Sequence, residues 1–140
     1  MPYTLEHKEN DGGVISTYSG KVSDEEFQQC MQEKFFLDKE ILSPEKVRVL
    51  RYSISDCADV ADFDVSVDAI KHVARLSKRV METNQTMLMA IVAPNNHEFG
   101  MGRLWQAYMG NYGERSKIFR TKKNANSWVK QTLAQPKKAV

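Results

Sequence analysis

Two apolar segments of the chain are each followed by short polar and acidic residues. Side chains of these types bind ligands in many proteins. Asp62 and Asp64 precede Ser66 after one segment, and Asn95 and His97 follow the other. Ligands of open α/β sheets bind beyond the carboxyl ends of the strands, and carboxylates with one histidine are able to bind a divalent metal or transfer protons. We therefore predict a ligand or partner surface at these five residues.

The same residue types also cap helices and form turns, and this simpler interpretation is favoured over catalysis or metal binding. The sequence has no HxxxH pair and no paired CxxC motif, and residues 100–102 lack the lysine and serine of a phosphate loop. Cys57 stands near Asp56 and Asp59, whose charges raise the pKa of a thiol and disfavour the thiolate. The sequence therefore favours a protein that is not an enzyme, with no catalytic residues, no metal and no cofactor.

The composition describes one ordinary domain. The chain has 140 residues, of which 41% are hydrophobic and 27% charged, with a formal net charge of +2. That charge gives no argument for nucleic acid, no apolar segment is long enough for integral membrane association, and we expect no secretory signal. The cysteines Cys30 and Cys57 are therefore expected to be reduced and the protein to be cytoplasmic. We predict a single domain over residues 1–134 and a flexible basic tail over 135–140.

The strand on which the arrangement depends is predicted in residues 87–94, the longest apolar segment of the chain. Its length and its lack of polar alternation indicate a strand covered on both faces. Alternating patterns on either side of the turn signal at 10–13 predict an antiparallel hairpin. Further strands are predicted over 47–54 and 117–120, and residues 56–64 are predicted to be an acidic connection.

Four helices are predicted between and after these strands. A capping-box pattern begins at Ser23, Ser66 is the expected N-cap of the second helix, and Gly110 is expected to end the third. The fourth is predicted to begin at Asn124 or Asn126. The apolar face of the first helix is marked by Phe27, Cys30, Met31 and Lys34 or Phe35. Because parallel strands joined by helices cross over right-handedly, this order predicts an α/β fold with a mixed sheet of about five strands and an N-terminal hairpin.

The third helix has more large apolar side chains than one buried stripe needs. We predict self-association as a homodimer through Trp105, Tyr108 and Tyr112. Methionines are frequent around the central strand, where they suit core packing and, as the alternative, an apolar pocket or interface.

Several segments that together span nearly the whole domain carry a family resemblance. They are residues 62–66, residues 90–94, residues 99–108, and residues 118–120 with Trp128. In these segments the chain resembles uncharacterised bacterial proteins with the SpoIIAA-like fold, which is shared by STAS domains and anti-sigma-factor antagonists. The resemblance implies a STAS-like (βα) superhelix and a role in protein interaction or ligand sensing, with a possible phosphorylation switch.

One departure concerns the phosphorylation motif of the antagonists. That motif is Asp-Ser-Ser/Thr-Gly at a helix start, whereas residues 64–67 read Asp-Val-Ser-Val. The glycine is absent and the hydroxyl is displaced by one position, which argues against the switch and for Ser66 as a helix cap.

Two function classes therefore stay open. One is a non-enzymatic STAS-like interaction or regulatory domain, acting on a protein partner or on itself. The other is a small-molecule carrier or sensor that binds an apolar or anionic ligand. A tightly packed interior favours the first, and an ordered cavity lined by methionine and tryptophan favours the second.

Overall fold

In a computed structural model, which describes residues 2–135, five strands form one sheet in which each strand neighbours the next along the chain. The strands are β1 (Tyr3–Lys8), β2 (Gly13–Ser23), β3 (Tyr52–Asp64), β4 (Leu88–Val92) and β5 (Ser116–Phe119). The β1–β2 pair is antiparallel and the other pairs are parallel. The predicted mixed sheet with its N-terminal hairpin is confirmed. The predicted basic tail, apart from Gln135, lies outside the described residues.

The helices alternate with the strands after the hairpin. They are α1 (Asp24–Lys34), α2 (Pro44–Arg48), α3 (Val67–Thr83), α4 (Asn96–Met109) and α5 (Lys122–Ala134), with a 3-10 helix at Gly110–Arg115. Ser23 and Glu26 form the predicted capping box, and Gly110 ends α4 with φ 57°. The N-cap of α5 is Thr121, so the prediction that an asparagine starts this helix is wrong.

The sheet is covered unequally on its two faces. Helices α1, α3 and α4 pack on one face, where Val14, Phe63 and Met89 join their buried side chains in the larger core cluster. Helix α5 packs on the other face through Ala125 and Val129. Within residues 2–135, no helix is long and apolar enough to span a membrane.

Strand β4 is the strand predicted in residues 87–94. It lies between β3 and the edge strand β5, so the prediction that it is the central strand of the sheet is wrong, and its side chains alternate between the two faces. Leu88 and Val92 pack toward α5, whereas Met89 and Ile91 pack toward the other three helices. Ile91 is only half-buried. The prediction of complete cover is therefore wrong at this residue, because Ile91 lines the pocket described below.

The segment around β3 differs most from the prediction. The strand predicted over 47–54 is wrong before residue 52, because residues 47 and 48 are the end of α2 and β3 begins at Tyr52. The acidic residues 56–64 continue β3. Two irregularities in the β2–β3 pairing each place an extra residue in β3. Each extra residue shifts the buried face by one position. Cys57, Val60 and Phe63 are consequently buried at a spacing of three, which hides the alternation of a strand.

Candidate functional site

A pocket lies between the sheet and the helices α1, α3 and α4. Its volume is about 50 Å³, which is a third of the roughly 150 Å³ of an apolar cavity that holds benzene. A ligand of a few heavy atoms fits this space, and a larger one requires side chains to move. The lining is mainly apolar and includes Phe27, Met31, Met89, Met101 and Trp105. Methionine side chains are flexible enough to adapt to different ligands.

Lys34 brings an amine into this apolar lining from the end of α1. The residue is 6% exposed, and its Nζ donates a hydrogen bond to Ser55 Oγ at 2.8 Å. Within residues 2–135, no carboxylate lies within ion-pair distance of Nζ. Loss of hydration lowers the pKa of Lys34. A larger fraction of this amine is therefore unprotonated at neutral pH than is the case for a surface lysine.

Glu98 brings a carboxyl group into the same pocket from the first turn of α4. Asn95 Nδ2 donates to Glu98 Oε1 at 2.7 Å, and the Glu98 amide donates to Asn95 Oδ1 at 2.9 Å, which forms a reciprocal cap. The other oxygen, Oε2, is buried and has no hydrogen-bond partner in the described part of the chain. Burial raises the pKa of Glu98 and so favours the neutral carboxyl group.

The thiol of Cys57 also lines the pocket. Burial raises its pKa to about 12, and the nearby charge of Glu98 acts in the same direction while Lys34 opposes it. The sequence-based prediction that this pKa is raised is confirmed. The main cause is burial and not the neighbouring aspartates.

Asn95 and His97, two of the predicted site residues, contact residues that line the pocket but are not themselves part of its lining. Asn95 holds Glu98, and His97 Nε2 lies 3.1 Å from the backbone oxygen of Phe63, another lining residue. The fold thus brings the ends of β3 and β4 together, as expected for this edge of a parallel sheet.

The three other predicted site residues, Asp62, Asp64 and Ser66, are exposed. Asp64 lies 3.9 Å from Lys21, and Ser66 is the N-cap of α3, where its Oγ accepts a hydrogen bond from the Ala69 amide at 3.1 Å. No group of three or more possible metal ligands occurs within residues 2–135.

Trp105, one of the three residues predicted to form a self-association surface, is not at the surface. This residue is 4% exposed and its Nε1 donates to Ser77 Oγ at 3.5 Å, so its assignment to a surface is wrong. The indole is buried because it faces α3 and the pocket. Tyr108 and Tyr112 are half-buried beside Lys71 and Arg115, and self-association through them stays a prediction.

Lys34 and Glu98 are absent from the predicted ligand surface, although the sequence carries a signal for each. Lys34 occupies a position of the apolar face of α1, where a charged residue is unusual. Glu98 stands three residues after a capping asparagine, which indicates a cap and leaves the second carboxylate oxygen unassigned.

Comparisons with known proteins bear on the fold. No protein-family model matches the chain, and no curated protein matches its sequence. The structure of the anti-sigma factor antagonist SpoIIAA in its unphosphorylated form is similar, with a TM-score of 0.55, 11% identity and coverage of 91% of this chain and 97% of that one. This chain has a SpoIIAA-like fold.

A second solved structure with a SpoIIAA-like fold agrees with this assignment. It is an uncharacterised protein of the DUF3478 family from Shewanella loihica PV-4, with a TM-score of 0.50, 15% identity and coverage of 91% of both chains. The fold suggested by the sequence resemblance is therefore confirmed. At these identities the likeness shows the fold alone.

Proposed function

We propose that this protein is a non-enzymatic small-molecule sensor built on a SpoIIAA-like fold. The observation that supports the proposal is the amine of Lys34, which is buried in an apolar pocket with Ser55 as the one hydrogen-bond partner of Nζ within residues 2–135. An ammonium group has three donors, and buried donors without partners are costly. A ligand with a polar group at one end and an apolar remainder matches this arrangement.

Glu98, which lies on α4, supports the same proposal as Lys34 on α1. Its Oε2 is a buried polar atom without a partner in the described structure, and it lines the same pocket as Lys34. Small-molecule sites combine an apolar lining with a few polar groups that fix the orientation of the ligand. The cavity is lined by three methionines and a tryptophan, which is the condition that favours a sensor or carrier over an interaction domain without a ligand.

The second candidate is an interaction domain that requires no ligand. The support for it is the fold, since one similar structure is that of an anti-sigma factor antagonist. In this candidate, as in the first, the domain acts through a protein partner or a second copy of itself, in the cytoplasm and without nucleic acid. The two candidates differ in whether the pocket must be occupied.

The test is ligand retention and thermal stabilisation. Native mass spectrometry of the freshly purified protein reports any retained molecule, and a thermal shift screen with short alcohols, carboxylic acids and ketones reports binding of added ones. Ile91→Phe places a larger side chain in the pocket and is expected to abolish the shifts. Lys130→Met, which changes an exposed lysine on α5, is the matched control and is expected to retain them.

The sensor proposal is contradicted by a specific pair of results. They are that the freshly purified protein retains no molecule and that no compound in the screen stabilises it. That outcome favours the interaction domain.

A further inference from the structure

We propose that Lys34 captures its ligand covalently, as a reversible Schiff base with a small aldehyde or ketone. The proposal rests on the proposed function of the pocket, because it requires that small molecules enter it. It adds the chemical class of the ligand and the atom that binds it.

The surroundings of Nζ favour a carbonyl compound over a carboxylate. A lysine attacks a carbonyl carbon only as the neutral amine, and desolvation in a hydrophobic pocket is one of the ways in which proteins activate lysine for this reaction. The Lys34 amine has a hydroxyl as its partner and no counterion within residues 2–135. A carboxylate ligand pairs best with a charged donor such as arginine or an ammonium, and this lining disfavours the charged form of the amine.

The reaction needs only groups that line the pocket. The Nζ lone pair attacks the carbonyl carbon and forms the C–N bond, while the C=O π electrons move to oxygen, which takes up a proton. The C–O bond then breaks and the nitrogen lone pair forms the C=N bond. The oxygen leaves as water with two hydrogens, which balance the two N–H hydrogens that the amine loses, so no oxidant or reductant takes part.

Ser55 and Glu98 are the groups suited to moving these protons. The Ser55 hydroxyl contacts Nζ at 2.8 Å and is able to pass a proton between nitrogen and oxygen. Glu98 lines the same pocket, and its buried Oε2 is free of protein hydrogen bonds in the described part of the chain. Because burial raises the pKa of Glu98, this carboxyl group is better suited than an exposed one to give a proton to the departing oxygen and to take one back.

The size of the cavity limits the carbonyl compound. A volume of about 50 Å³ is small even for the three-carbon chain of propanal, so we expect the flexible methionines of the lining to move as propanal enters. We expect binding to weaken as the chain lengthens, except where the methionines of the lining move aside.

The test is reductive trapping with propanal and sodium cyanoborohydride at neutral pH, followed by peptide mapping of each lysine by mass spectrometry. Because desolvation favours the neutral, reactive form of the Lys34 amine, Lys34 is expected to be labelled at least about tenfold faster than the exposed Lys71 or Lys130. Lys34→Met is expected to remove the fast phase, and Lys130→Met to keep it. Circular dichroism of each variant checks that the fold is retained.

In Ile91→Phe, which fills the pocket and keeps the lysine, labelling of Lys34 is expected to fall to the rate of exposed lysines.

The results separate this proposal from the sensor function. Labelling of Lys34 no faster than that of Lys130 in the folded protein overturns the Schiff base. If butanol or butyrate then still stabilises the original protein and not Ile91→Phe, the pocket binds ligands and only the covalent step is wrong. If no compound binds and Lys34 is not labelled, both proposals are wrong.

Discussion

The hydroxyl of Ser66 donates a hydrogen bond to Oδ2 of Asp24 at 2.6 Å, and the Ser66 amide donates to Oδ1 of the same carboxylate at 2.6 Å. Asp24 is in the first turn of α1 and Ser66 is the N-cap of α3, so one carboxylate joins the starts of two helices. A negative charge is favourable at this position because both helix N-termini carry partial positive charge. Ser66 is therefore a structural connection as well as a cap.

This connection predicts different effects for two substitutions of Ser66. Ser66→Ala removes the cap and is expected to lower the free energy of unfolding by about 1 kcal/mol. Ser66→Asp restores a capping oxygen but places a second carboxylate against Asp24, so we expect it to be less stable than Ser66→Ala. The measurement is urea unfolding.

The control for Ser66→Asp is the double variant Asp24→Asn with Ser66→Asp. It is expected to recover stability relative to Ser66→Asp alone, because the repulsion between carboxylates is removed. If Ser66→Asp is as stable as the original protein, the two residues do not meet in solution as described.

The lowered pKa of Lys34 predicts a dependence of stability on pH. Below the folded-state pKa of Lys34, the folded protein must hold a buried ammonium, so the destabilisation by Lys34 is greatest in that range of pH. As the pH rises toward the unfolded-state value of about 10.4, the folded amine is already neutral and this penalty disappears. Lys34→Met is therefore expected to be more stable at neutral pH, by about 1–3 kcal/mol, with a difference that narrows as the pH rises.

Urea unfolding at several pH values checks this expectation. Lys130→Met, on the exposed side of α5, is the control and should differ from the original protein by less than about 0.5 kcal/mol at every pH. The expectation is wrong if Lys34→Met is less stable than the original protein at neutral pH and if the difference in stability does not change with pH. Such a result would contradict a desolvated amine at Lys34.

The two glycines of α4 predict opposite responses to alanine. A Cβ at Gly102 would lie 3.2 Å from Ile118 Cγ2, whereas nothing lies within 4 Å of a Cβ at Gly100. Gly100→Ala is expected to stabilise by about 0.5–1 kcal/mol, because alanine loses less backbone entropy in a helix. Gly102→Ala is expected to cost about 1 kcal/mol or more as α4 and β5 are pushed apart. Equal thermal shifts for both variants would mean that α4 does not pack this closely on β5.

Self-association through the end of α4 predicts a measurable dimer. Sedimentation velocity at high micromolar concentration is expected to show a homodimer that Tyr108→Ser weakens. Trp105 is buried and contributes nothing to such a contact. Tyr108 and Tyr112 are therefore the aromatic residues that remain in the predicted contact surface. A monomer for the original protein at that concentration would rule this interface out.

The elements with strong local signals could be predicted from the sequence. The apolar segment that contains β4, the capping box at Ser23 and the cap at Ser66 each depend on residues close together in the chain. Strand β3 was not predictable in full, because its extra residues give Cys57, Val60 and Phe63 a spacing that is typical of neither a flat strand nor a helix.

The pocket was not predictable because its polar groups come from elements far apart in the chain. Lys34 stands on the apolar face of α1 and Glu98 stands three residues after a capping asparagine, but neither local signal shows that the two side chains reach the same pocket. Their burial depends on how two helices pack on the sheet, and that packing is a property of the whole fold. Asn95 and His97 were predicted because strand ends in parallel sheets share one edge.

Within residues 2–135, α5 is the one helix that covers the second face of the sheet, and this has a consequence for synthesis on the ribosome. Strands β1 to β4 are synthesised before α5, so Ile54, Leu88 and Val92 have no helix to cover them until Ala125 and Val129 leave the exit tunnel. A nascent chain whose apolar surface is uncovered is prone to aggregate. A stop codon just before residue 122 would therefore release a chain that has all five strands and lacks the helix that covers the second face of their sheet.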